Sequence, residues 1–109
     1  MYEKLGDVRS RAVTMGQIAD VLQDRGDLEE ALRIRREEEL PVYEKLGDVR
    51  ELMVGRANLA LTLSRRGDPV DHQEISHLLG QAFKAATQMK LLDAQQIADL
   101  HQRLLGKPL

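Results

Sequence analysis

The chain has 109 residues, 42% hydrophobic, 31% charged and only 3% aromatic, the balance of a small helical domain rich in Ala, Leu, Glu and Arg rather than of a sheet. A formal net charge of −2 gives no general pull toward phosphate backbones or anionic membranes, so nucleic acid and membrane partners are not expected, and the absence of cysteine excludes disulfides, thiolate nucleophiles and thiolate zinc sites. No segment approaches the ~18 consecutive apolar residues of a membrane span and the opening residues lack an apolar signal core, so the reading is a soluble, cytoplasmic protein.

Taken in chain order, the first feature is Tyr2-Glu3-Lys4-Leu5-Gly6-Asp7-Val8-Arg9, which recurs letter for letter as Tyr43-Glu44-Lys45-Leu46-Gly47-Asp48-Val49-Arg50, 41 residues further on. The same shift carries Arg25-Gly26-Asp27 onto Arg66-Gly67-Asp68. A period between about 20 and 50 residues is the mark of stacked helical units. Gly-Asp pairs at 6–7, 26–27, 47–48 and 67–68 read as punctuation, each closing one helix with Gly and opening the next with an Asp cap. Asp27 with Glu30, Asp48 with Glu51, Asp71 with Glu74 and Asp93 with Gln96 have the spacing of reciprocal caps.

Between these marks apolar residues fall at helical spacing, and helices are predicted near 7–25, 27–46, 48–66, 71–90 and 93–105. Ala19, Ala31, Ala60, Ala82 and Ala86 would let helix axes approach closely. Pro41 lies inside the second helix and predicts a kink or break there, because proline cannot donate to the Glu37 carbonyl. Asp68-Pro69-Val70-Asp71 lengthens the third turn. Gln17-Ile18-Ala19-Asp20 returns as Gln96-Ile97-Ala98-Asp99 in a shortened last helix that reads as a C-terminal cap.

Side chains with chemical potential have plainer readings. His72 and His77 are five apart, which does not place two imidazoles on one helical face, and both are expected at the surface; His101 stands where Leu22 stands in the first unit and is expected to be partly buried or to line the open end. The charges from Glu29 to Glu39, with pairs such as Glu29–Arg33 and Arg35–Glu39, are expected to form a solvated helix face. Gly16 and Gly55 interrupt first helices at a cost of about 1 kcal/mol each against alanine, which predicts close packing there; for Gly16 the alternative is room for a ligand backbone. No phosphate loop, nucleophile elbow or metal-ligand cluster is apparent, so no catalytic residue, cofactor or metal is predicted and the chain is not read as an enzyme.

Gln23-Asp24-Arg25-Gly26-Asp27-Leu28-Glu29-Glu30-Ala31, with Ile18-Ala19 and Leu22 upstream and Leu59-Ala60 and Leu63 in the next unit, resembles the tetratricopeptide repeat family over essentially the whole chain. The ordinary unit of that family has 34 residues, so the present one is similar to its longer-helix variants, and the family's aromatic packing positions hold Met15, Arg35 and Arg56 instead. The resemblance implies an all-α fold, a right-handed superhelical stack of antiparallel hairpins: 1–6 as the tail of a preceding repeat, 7–47 and 48–92 as two repeats, and 93–109 as the cap. It implies a protein-binding concave face lined by Val13, Gly16, Asp20, Gln23 and Asp24 from the first unit and by Val54, Ala57, Leu61, Ser64 and Arg65 from the second. The Lys and Asn set with which some members clamp a C-terminal carboxylate is missing. Two other readings stand beside this one. In one the chain assembles with itself, through an uncapped edge at Val8, Ala12, Met15 and Ile18 or by a helix exchange that straightens Leu46-Gly47-Asp48; in the other it is a regulatory repeat domain of a larger signalling protein.

Overall fold

A computed structural model describes residues 2–89 and 93–109, with the side chains of 2–5 outside the description. Among the described residues the chain is all-helical, with no strand. Helix α1 spans Tyr2–Arg25; a helical ribbon follows as α2 (Leu28–Ile34), a π-helical turn (Arg35–Glu39) and α3 (Leu40–Leu46); then come α4 (Val49–Arg66), a 3-10 turn (Pro69–Asp71), α5 (His72–Gln88) and α6 (Asp93–Leu105). Counting the ribbon as one, there are five helices. Each packs on the next: α1 on the ribbon, the ribbon on α4, α4 on α5 and α5 on α6. The Cα radius of gyration is 14.0 Å and the extents are 46 × 34 × 18 Å, slightly more elongated than the ~13 Å of a globule of this length.

The punctuation works at three of its four positions. Gly26, Gly47 and Gly67 take left-handed conformations (φ 87°, 66° and 75°) and end their helices. At Gly6-Asp7 the expected boundary is absent, and α1 runs through it without a break. The octapeptide is therefore a continuous helix in its first occurrence and a helix–turn–helix in its second. Its local preference is close to balanced, since a helix crossing one glycine forfeits only about 1 kcal/mol, and packing decides between the two forms. Around Gly47 that packing comes from Tyr43, 1% exposed, which anchors α3 against its neighbours.

The caps also differ from their sequence signatures. The Asp48 carboxylate accepts the Glu51 amide at 3.1 Å as expected, but Asp27 makes no side-chain cap and Glu30 turns to Arg33 at 2.8 Å. Asp71 does not cap α5; its carboxylate instead accepts from Arg66 Nε at 3.0 Å and Nη2 at 2.8 Å. That guanidinium holds the buried Asp71 carboxyl below its ordinary range. The residues before Asp93 lie outside the description, so its capping is not described. α5 was expected to reach 90; it is followed to Gln88, and Lys90 lies outside the described residues.

Pro41 breaks the second helix one turn earlier than its own position. The Leu40 amide reaches back five residues to the Arg35 carbonyl, so the ribbon is wound as a π-turn before restarting with proline in its first turn, where the missing N–H costs nothing. Successive side chains at the end of this turn leave on opposite sides, and each finds a glycine. Leu40 lies over Gly55 of α4, where a Cβ would come within 2.6 Å of a Leu40 methyl. Glu39 lies over Gly16 of α1, where a Cβ would collide with its carboxylate. The two glycines are notches for the ribbon, which is the close-packing reading, and Gly16 is buried rather than free on a ligand-binding wall.

The core runs mainly along the α4–α5–α6 half, around Leu59, Leu63, Ile75, Leu79 and Ile97. A smaller cluster of Ala19, Ala31 and Ile34, flanked by Met15 and Leu22, seals α1 onto the ribbon. The five alanines expected at close approaches are all 0% exposed. No helix among the described residues is long and apolar enough to cross a membrane.

Candidate functional site

The residues expected on one continuous face divide into two neighbouring regions of different chemistry. Near the α1–α4 seam, exposed Asp20 and half-buried Gln23 bond to a polar network whose centre is buried. Arg35, 1% exposed, enters from the π-turn and donates through Nε to Thr62 Oγ1 (3.0 Å) and through Nη2 to Asp20 Oδ1 (2.6 Å) and Gln23 Oε1 (3.3 Å). Its Nη1 faces Glu39 Oε1 at 3.5 Å. Thr62, also fully buried, uses its single hydroxyl proton toward Gln23 or the Asn58 carbonyl (2.9 Å) while accepting from Arg35. No side-chain polar atom buried among the described residues lacks a partner.

The spacing of the charged residues does not by itself show this network. Of the charges from Glu29 to Glu39 expected on a solvated face, Glu29, Glu30, Arg33, Arg36, Glu37 and Glu38 are exposed, whereas Arg35 and Glu39 are buried. Glu29, expected on Arg33, pairs across to Arg66 at 2.9 Å. Register carries the signal: Ala31, Arg35 and Glu39 follow one another at intervals of four, and Ala31 is one of the small residues expected at a close helix contact.

Burial pushes the Glu39 carboxyl above its ordinary value; Arg35 pulls it back and the Asp20 charge pushes it up again. A carboxyl with a raised folded-state value stabilises the fold most fully below its unfolded value near 4.5, and that contribution fades as pH climbs through the folded value. Glu39→Gln is accordingly expected to raise stability at neutral pH and to flatten the decline above pH 4.5, read from urea midpoints across a pH series. An unchanged slope would show that Glu39 does not govern it. Asp71, whose value is lowered, works in the opposite sense, losing its contribution only as the medium becomes strongly acid.

The second region is an apolar groove of about 180 Å³ between α4 and α6. Met53, Val54, Ala57 and Asn58 line one side; Asp93, Gln96, Ile97 and Leu100 line the other. Val54 and Ala57, two of the residues expected on a concave face, line this groove. Drug-sized ligands occupy roughly 300–1,000 Å³, so this groove suits one or two protruding side chains better than a cofactor. Of the remaining expected residues, Val13, Leu61 and Ser64 are half-buried, and Asp24 and Arg65 are exposed and face each other at 3.6 Å.

The predicted self-association edge is likewise redistributed. Ala12 is fully buried and Met15 packs into the small cluster, whereas Val8 and Ile18 remain 41% and 42% exposed and are joined by Val21 at 53%. In the repeated tetrapeptide Ile97 is 6% exposed, because α5 precedes and covers α6, while no helix among the described residues precedes α1.

The histidines separate in the same way. His72 and His77 are exposed beside an open polar cleft at the start of α5. His101 is 1% exposed; its Nδ1 donates to the Lys107 carbonyl at 2.8 Å and its Nε2 meets Ser76 Oγ at 3.0 Å, so it ties the C-terminal tail to α5. Among the described residues no group of three or more His, Cys, Asp or Glu converges as a metal site requires.

Comparison with family models, with curated proteins and with solved structures returned no match.

Proposed function

We propose that the chain is a non-catalytic protein-binding module, a short tetratricopeptide-like stack whose concave side, centred on the α4–α6 groove, holds apolar side chains of a partner's peptide or helix. The observation that carries this reading is the groove itself. It is an apolar slot open to solvent, flanked by Asn58, Asp93 and Gln96, and it lies between α4 and α6, the helices that carry the second-unit expected residues and the returning Gln-Ile-Ala-Asp tetrapeptide. An amphipathic helix would seat two side chains three or four residues apart in such a slot, with polar rim groups setting orientation. The Arg35 network beside it fixes α1, the ribbon and α4 relative to one another, so the wall is presented by rigid elements.

The test is selection of peptides from a random display library on the immobilised chain, with affinities then measured by fluorescence anisotropy. Peptides carrying apolar residues three or four apart are expected. Val54→Asp, at a position 42% exposed and so compatible with folding, is expected to weaken them about 30-fold, roughly 2 kcal/mol, because a carboxylate would be desolvated against an apolar side chain. Selected peptides whose affinity is untouched by both Val54→Asp and Ala57→Glu would place the binding face elsewhere.

A further inference from the structure

The two copies of Tyr-Glu-Lys-Leu-Gly-Asp-Val-Arg are identical in sequence and different in conformation. Residues 2–9 lie within the unbroken helix α1, whereas 43–50 form the end of α3, a turn and the start of α4. The turn is small. Gly47 stands at φ 66°, its amide bonds to the Glu44 carbonyl at 3.2 Å, the Asp48 amide reaches the Tyr43 carbonyl at 3.0 Å, and the Asp48 side chain caps α4. Outside this local geometry Asp48 is held by Arg9, at 2.7 Å, from the other copy of the same octapeptide. The straight form of these eight residues is thus already present in the molecule, and beyond the packing around Tyr43 the bent form rests on one left-handed glycine, one cap and an exposed ion pair.

From this juxtaposition we infer that Gly47-Asp48 is an exchange hinge and that the partner it serves is a second copy of this chain: when the hinge straightens, α3 and α4 join into one helix, and the block of α1 through α3 docks on α4–α6 of the other copy. The contacts between the two blocks outside the turn itself are then re-formed between molecules, including Arg36–Glu74 (2.7 Å), Arg66–Glu29 (2.9 Å) and Arg35–Thr62 (3.0 Å). The exchanged interface needs no new complementary surface, because it is the one the single chain already buries. The straight hinge also replaces two helix ends by continuous backbone hydrogen bonds.

The two glycines provide an internal control. A Cβ at either Gly6 or Gly47 meets nothing within 4 Å, so alanine changes backbone preference alone. At Gly47 alanine opposes the left-handed turn and favours the straight form; at Gly6 the chain is already helical. In sedimentation equilibrium Gly47→Ala is expected to raise the dimerisation constant at least about tenfold, and Gly6→Ala to leave it unchanged. The chain has no cysteine, so R36C and E74C chains, each also carrying Gly47→Ala, can be refolded together and treated with a short bismaleimide. A covalent heterodimer is expected. A folded Gly47→Ala chain that stays monomeric at its highest soluble concentration overturns the inference, as does a dimer giving no crosslink between the two labelled positions, which would indicate pairing through the exposed face of α1. Should Gly47→Ala fail to fold, Asp48→Ala, which removes the cap and the Arg9 pair but keeps the glycine, decides on the same two readouts.

Discussion

Arg35→Ala is expected to lower the stability of the fold by about 3–5 kcal/mol, the cost of removing one partner from a buried charge pair and leaving the other uncompensated. Among the described residues Arg35 is the only cation paired with Glu39 at the α1–ribbon–α4 seam, and it also satisfies Thr62 and Gln23. Asp20 is 60% exposed and can return to water, but Glu39, 7% exposed and wedged over Gly16, cannot. The loss should therefore be larger at pH 7, where Glu39 must be charged or pay to be protonated, than near pH 4, where the proton is available. Glu39→Gln in the Arg35→Ala background is expected to recover part of it, a coupling that a double-mutant cycle in urea measures directly. A loss below about 1 kcal/mol, or one that Glu39→Gln does not relieve, would mean that water has replaced the guanidinium and that the seam is not dry.

This network also marks where the sequence was legible and where it was not. Helix count, helix order and the small residues at close contacts could be read because they depend on periodicity and on glycine turns, properties of a few neighbouring residues. Gly16 and Gly55 could be read as notches in general, since a mid-helix glycine must be compensated, though what fills each notch could not. Two errors share a cause. Gly6-Asp7 and Gly47-Asp48 sit in the same octapeptide, so no local rule could separate them; only the helices packed around Tyr43 do. Arg35 and Glu39 look like any surface i,i+4 pair until the π-turn required by Pro41 rotates the ribbon and sets them between two helices. Of the expected concave residues, Val54 and Ala57 reach the groove because α6 lies beside α4, but Asp20 and Gln23 are claimed by Arg35, a partner that the face-by-face pattern did not offer.

Leu79→Ala is expected to cost about 2–5 kcal/mol, as for a fully buried leucine whose cavity the surroundings can only partly close. Leu79 is 0% exposed on α5, the helix that contacts both α4 and α6 at the centre of the larger cluster. Where the loss appears is more informative than its size. Because most contacts run from each helix to the next, stability should be distributed along the chain largely as neighbour terms rather than pooled in one core. Amide hydrogen exchange should then find Leu79→Ala lowering protection most in α4, α5 and α6, and Arg35→Ala lowering it most in α1, whose apolar seal is only Ala19, Ala31 and Ile34 with Met15 and Leu22. If both substitutions lowered protection equally from end to end, the helices would be unfolding as one cooperative unit. The α4–α6 groove would then depend on the α1 seam, and a partner bound there would stabilise the whole chain rather than the half that holds it.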